Sequence, residues 1–123
     1  MRLVRERDFA RVFRQGGRAR GQILLVVVAP NGLEHARLGL SVGKAIWRSA
    51  VKRNRVRRVF REAFRLSWRD LPRGVDVILV PARPALRPEL AATRAELVSL
   101  AHKALRRAGE PRPAAKPARG GRA

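Results

Sequence analysis

The densest chemistry in the chain lies between Lys44 and Arg69, where ten basic side chains accompany one acid, Glu62. A helix drawn through this stretch at about 100° per residue puts Val56, Val59, Phe60 and Ala63 on one stripe. Asn54, Arg57, Arg58, Arg61 and Arg65 then fall opposite, with Arg53 at the border and Arg55 closing the far side of the basic arc. A packed stripe holds the opposing guanidinium groups in register. Each guanidinium is a planar fork that can donate two hydrogen bonds to one phosphate. Like charges at helical neighbour positions repel one another, so the free protein loses stability by keeping them. Neutralising a phosphate backbone with such an array releases counterions and makes affinity salt-dependent. The competing reading is a solvated charged face, but such faces ordinarily mix signs and this one does not.

No other constellation has the spacing of a catalytic centre. Hydrolysis of a phosphodiester by a protein calls for paired carboxylates that hold metal ions, or for a His pair in acid–base roles. The nine acids are scattered, and neither D-x-D nor H-x-E spacing occurs. His35 stands beside a turn and His102 in the last predicted helix, both expected at the surface. Asp76 alternates with apolar residues of a predicted strand, so it is expected to face solvent or a basic neighbour. There is no Cys, which excludes a disulfide framework and a thiolate metal site, and no G-x-x-x-x-G-K-[ST] phosphate loop. The pattern is that of a binding subunit whose chemistry resides elsewhere.

The chain has 123 residues and a formal net charge of +20, from 29 Lys and Arg against 9 Asp and Glu. Arg supplies 25 of those cations. This length suits one domain, and a 46% hydrophobic fraction sustains one modest core. The charge makes a polyanion the leading partner class, nucleic acid first and an anionic membrane second. The longest apolar run, Ile23 to Ala29, is far short of the roughly 20 residues of a membrane span, and MRLVRERDF lacks the apolar stretch of a signal peptide. These features lead to the expectation of a cytoplasmic protein with no membrane partner.

The elements that must position the basic stretch are legible in outline. Arg2 to Arg14 reads as a helix stopped by Gly16-Gly17. Gln22 to Ala29 reads as a buried strand, and Pro30-Asn31-Gly32 as a turn. Arg37 to Val42 reads as a second strand, expected to pair with the first as a hairpin. Gly43 to Ser49 is a loop holding Lys44, Trp47 and Arg48, and a long helix opens at Ser49 or Ala50 and runs to about Arg69. Pro72-Arg73-Gly74 interrupts, Val75 to Val80 is a third strand, and a last helix follows Pro88 and ends at Gly109. The expected organisation is one α/β domain over residues 1–109 and a disordered Pro-, Gly- and Arg-rich tail over 110–123.

The order Gly39-Leu40-Ser41-Val42, then Lys44, then Arg53-Asn54-Arg55-Val56-Arg57-Arg58, resembles the signature of the bacterial ribonuclease P protein component. The similarity extends to Asp8-Phe9 with Val12-Phe13 and Gly16, to Arg61-Glu62-Ala63-Phe64-Arg65, and to Val75–Ala82, covering residues 2 to 108. The resemblance implies an α/β (α+β) two-layer sandwich, ordered helix–three strands–helix–strand–helix around one mixed sheet. It also implies a left-handed βαβ crossover, as in the ribosomal protein S5 domain 2-like fold. That hand opposes the general rule for such units.

In function, the resemblance implies the protein subunit of ribonuclease P, which binds a catalytic RNA and the 5′ leader of precursor transfer RNA. The RNA with its Mg2+ cuts the leader away, and the protein binds no cofactor and requires no protein partner. Carried over by position, Lys44, Arg48, Lys52, Arg53, Asn54, Arg55, Arg57, Arg58, Arg61 and Arg65 are the expected RNA-binding residues. Phe9, Phe13 and Val26 are expected to line the leader cleft. Two departures stand out. Ala45 replaces a basic residue common in the family, and the chain has no Tyr, so Val26 or a neighbour occupies the cleft position where many relatives place one. The alternatives are a structural binder of ribosomal RNA, whose composition would look the same, and a DNA-compacting protein.

Overall fold

A computed structural model describes residues 3–108. The expected tail over 110–123 lies outside the described residues, as do the predicted helix ends at Arg2 and Gly109. The elements are α1 (Glu6–Gln15), β1 (Gly17–Arg20), β2 (Leu24–Pro30), β3 (Arg37–Leu40), α2 (Ala50–Leu66), a single 3-10 turn (Trp68–Asp70), β4 (Val75–Pro81) and α3 (Leu90–Ala108). Helix α1 starts on Glu6 and Asp8 and ends near Arg14, charges that complement its dipole. Helix α2 is capped by Ser49, whose hydroxyl accepts from the Lys52 N–H at 3.3 Å.

The sheet has the order β1-β2-β4-β3. β2 runs antiparallel to both β1 and β4, and β3 runs parallel to β4. The hairpin expected between β2 and β3 is therefore absent, because β4 lies between them. Its sequence, VDVILVP, is buried at all but one position, as suits a central strand hydrogen-bonded on both edges. β3 and β4 are parallel, and α2 makes the crossover that such a pair requires. β1 is hidden in the sequence by the two glycines that read as a helix stop. Gly17 opens this strand because the α3 backbone at Ala104 and Arg107 passes where a Cβ would stand.

Side chains alternate between two apolar layers. Leu24, Val26, Val28, Leu38, Val77 and Leu79 point toward α2 and α3, where they meet Val56, Phe60, Ala63, Phe64, Leu97 and Ala101. Val27, Ala29 and Ile78 point to the other side and pack under Val12 of α1. Two carboxylates pin this frame. Glu96 of α3 accepts from the Ile23 and Leu24 N–H groups at 2.8 and 2.7 Å, fixing the β1–β2 turn. Asp76, inaccessible to solvent, accepts from Arg37 Nε and Nη2 at 2.7 Å each, from Arg11 Nη2 at 2.6 Å and from Asn31 Nδ2 at 3.0 Å. Of the two expected settings for Asp76, the basic neighbour is the one found. Burial pushes its carboxyl pKa up, but the hydrogen bonds of Arg37 and Asn31 and the charges of Arg37 and Arg11 outweigh that and hold it below the usual value.

Candidate nucleic-acid interface

The face of α2 opposite the core, with the Gly43–Ser49 loop before it, carries the predicted cations, which fall into three groups. Arg53 and Arg57 turn back on the protein. Arg53 Nη1 donates to the carbonyls of Trp47 and Arg48 at 2.9 and 2.8 Å, and Arg57 donates to Asn54 Oδ1 at 2.9 Å and to the Val42 carbonyl at 3.0 Å. These bonds tie the Gly43–Ser49 loop and the end of β3 to the first turns of α2. Arg65 donates from Nε and Nη2 to Glu62 at 2.9 and 2.6 Å, an exposed pair that raises the Arg65 pKa and lowers that of Glu62. Lys44, Arg48, Lys52, Arg55, Arg58 and Arg61 form the remaining group, and all are exposed. Among the described residues no carboxylate lies within ion-pair distance of any of the six.

The stripe that anchors this face is deep. Val56, Phe60, Ala63 and Phe64 are almost wholly buried, so the exposed guanidinium groups stand on a helix whose rotation is fixed. A fixed array aimed at solvent loses less on binding than the same charges on a mobile segment.

A second surface lies on the α1 side of the sheet. Phe9 and Phe13 are half-buried, with ring centroids 6.4 Å apart, beside Leu25 and Val80 and over the Val27–Ile78 layer. Gly39 lets Phe9 settle onto β3, since a Cβ there would lie 2.8 Å from its Cζ. Arg18 of β1 sits with its guanidinium carbon 5.6 Å from the Phe13 ring centroid and donates to the Phe13 carbonyl at 2.8 Å. The structure corrects one assignment. Val26 is fully buried on the opposite side of the sheet, toward α2 and α3, so it lines no cleft. Its neighbour Leu25 occupies the α1 side, because successive strand residues alternate faces. Arg18 escapes a reading of the sequence because β1 itself does, whereas Leu25 follows from alternation once Leu24 is known to point inward.

The family model described as Ribonuclease P matches residues 1–105. The chain belongs to the ribonuclease P protein family. The ribonuclease P protein component of Pseudomonas putida strain GB-1 is 43% identical over 94 residues, which span 72% of this chain and 69% of that protein. That of Chromobacterium violaceum is 41% identical over 98 residues, 80% of this chain and 77% of its own. Among solved structures, the ribonuclease P protein of Thermotoga maritima superposes with a TM-score of 0.73 at 30% identity, covering 84% of this chain and 96% of its own. The Staphylococcus aureus protein gives a TM-score of 0.70 at 26% identity, covering 85% and 96%. The α/β sandwich of three helices and a four-stranded mixed sheet is thus the ribonuclease P protein fold.

As a ribonuclease P protein component, the chain partners the catalytic RNA and assists its removal of the 5′ leader from precursor transfer RNA. The hydrolysis belongs to the RNA and its Mg2+. Among the described residues no group of three or more His, Cys, Asp or Glu is placed to hold a metal. Asp8 and Asp76 face Arg37 and Arg11, and Glu62 faces Arg65. Among the described residues no helix is long and apolar enough to cross a membrane.

Proposed function

We propose a division of labour between the two surfaces, within one RNA-binding domain working in the cytoplasm. The exposed cations of α2 and of the Gly43–Ser49 loop dock the catalytic RNA. The α1 side of the sheet, with Phe9, Phe13 and Leu25, takes the single-stranded leader. The observation that carries this reading is the set of six exposed cations, without carboxylate partners among the described residues, on a rigid helix and its preceding loop. Phosphates are the counter-charge such a face lacks, and each one neutralised releases condensed cations. By supplying positive charge between two RNAs, the protein lowers the Mg2+ needed for assembly. By holding the leader, it favours precursor over mature transfer RNA.

Unpaired bases suit the second surface, because aromatic faces stack on any base. The test is cleavage of precursor transfer RNA by the catalytic RNA at low Mg2+, with wild-type protein, Arg55→Ala/Arg58→Ala or Phe13→Ala. The double variant is expected to need more Mg2+ whatever the leader. Phe13→Ala is expected to lose rate only on substrates whose leader reaches the cleft. Equal behaviour of the two variants on long and minimal leaders would overturn the division. Cell fractionation, with the protein recovered beside precursor transfer RNA in the soluble fraction, tests the compartment.

A further inference from the structure

Trp47 has surroundings that the docking of α2 does not explain. Its indole Nε1–H donates to the Leu86 carbonyl at 2.8 Å, which locks the ring between the Gly43–Ser49 loop and the segment joining β4 to α3. Two cations stand against the ring: Lys52 Nζ lies 4.4 Å from its centroid and the Arg87 guanidinium carbon 5.6 Å. Arg55, one turn further along α2, borders the same recess, a cavity of about 270 Å³ closed on its apolar side by Leu86 and Pro88.

An anchoring role accounts for the indole hydrogen bond but not for the cations. Lys52, Arg55 and Arg87 come from two separate elements and converge on one hollow, and among the described residues none has a carboxylate within ion-pair distance. The π face of Trp47 offsets part of their charge. It cannot do so for three cations at once, so the recess keeps a net positive charge. A fixed aromatic plane beside converging cations is a receptor for a ligand that is flat at one end and phosphorylated at the other.

We propose that this recess binds one unpaired nucleotide of RNA, its base against Trp47 and its phosphate among Lys52, Arg55 and Arg87. When the base takes the ring, Lys52 moves from the π face to the phosphate, and Arg87 brings the β4–α3 segment into the interface. The site rests on the reading that α2 faces RNA, and adds to it a pocket that selects for an unstacked base.

The chain has two Trp residues, so Trp68→Phe leaves Trp47 as its only indole, with its environment intact. Catalytic RNA is titrated first and precursor transfer RNA second, while Trp47 emission and binding are followed together. Quenching that saturates with the binding of either RNA supports the site and identifies which RNA fills it. Binding of both with unchanged Trp47 emission overturns it. In parallel, Trp47→Leu and Arg87→Gln are each expected to weaken binding of that RNA by about tenfold, the effect of removing a stacked base or a charged hydrogen bond to phosphate, with Trp47→Phe restoring most of it. If Arg55→Ala/Arg58→Ala weakens RNA binding while Arg87→Gln and the Trp47 signal do not respond, only the nucleotide site falls. If the double variant binds as well as wild type, the α2 reading falls with it.

Discussion

Arg37 and Arg55 carry the same group into opposite surroundings. Arg37 gives two 2.7 Å hydrogen bonds to the buried carboxylate of Asp76, with Arg11 on the same carboxylate and Asp8 3.4 Å away, and the cluster locks α1, β3 and β4 together. Its pKa is raised, first by the hydrogen bond to Asp76 and against the opposing effect of burial. Arg55 stands exposed on α2 among Lys52, Arg58 and Arg61, with no acid within ion-pair distance among the described residues. The first arginine is completed by the fold; the second is left for a partner to complete. In a chain of net charge +20, the count of cations therefore says little about which ones bind RNA. Their partners within the fold separate them: Asp76 engages Arg37 and Arg11, Glu62 engages Arg65, and backbone carbonyls with Asn54 engage Arg53 and Arg57.

The largest expected effect lies on the completed side. Asp76→Ala leaves Arg37 and Arg11 partly buried with only Asp8 as counter-charge and should cost about 3 kcal/mol, read as a lowered urea midpoint. Because the native pKa of Asp76 is depressed, its stabilising contribution is full above the ordinary value of 3.8 and is lost as pH falls through the lower native value. The variant should therefore show a flatter loss of stability in acid than wild type. Catalytic-RNA affinity of the folded protein should not change; a large drop would break the contrast between the two sets of arginines.

Next in size is Phe13→Ala. It should reduce leader affinity by about 1–3 kcal/mol while sparing catalytic-RNA binding, measured with long- and minimal-leader substrates. If the variant unfolds instead, Phe13 belongs to the core and the cleft reading loses its main aromatic. The smallest effect is expected from Glu62→Gln, which releases Arg65 from its exposed pair and so moves one cation from the first class to the second. Stability should hold, while RNA affinity should rise slightly at low salt and fall back to wild type at high salt.

The parts legible in sequence are those with strong periodicity. α2 can be read because Val56, Phe60, Ala63 and Phe64 recur at helical spacing against a basic arc. β4 can be read from its run of β-branched and aliphatic residues. β1 cannot, because Gly-Arg-Ala-Arg alternates with side chains too small to announce a buried face, and its need for Gly17 comes from α3, distant in sequence. Strand order is equally hidden: the antiparallel partner of β2 is set by a crossover that returns β4 from beyond α2. The side of the sheet that Val26 takes is not legible either, because β2 is buried on both faces and its uniform apolar run fixes no orientation. Arg11 and Arg37 look like any other arginine until Asp76 is placed between them.

Binding of catalytic-RNA phosphates by the uncompensated cations of α2 should show itself in the salt dependence of RNA affinity. The logarithm of the association constant should be measured against the logarithm of salt concentration for wild type and for Arg55→Ala/Arg58→Ala. A shallower slope is expected for the variant, reduced by about 0.9 for every phosphate no longer neutralised, with thermal stability unchanged or slightly raised. An unchanged slope in a folded variant would remove this face of α2 from the interface.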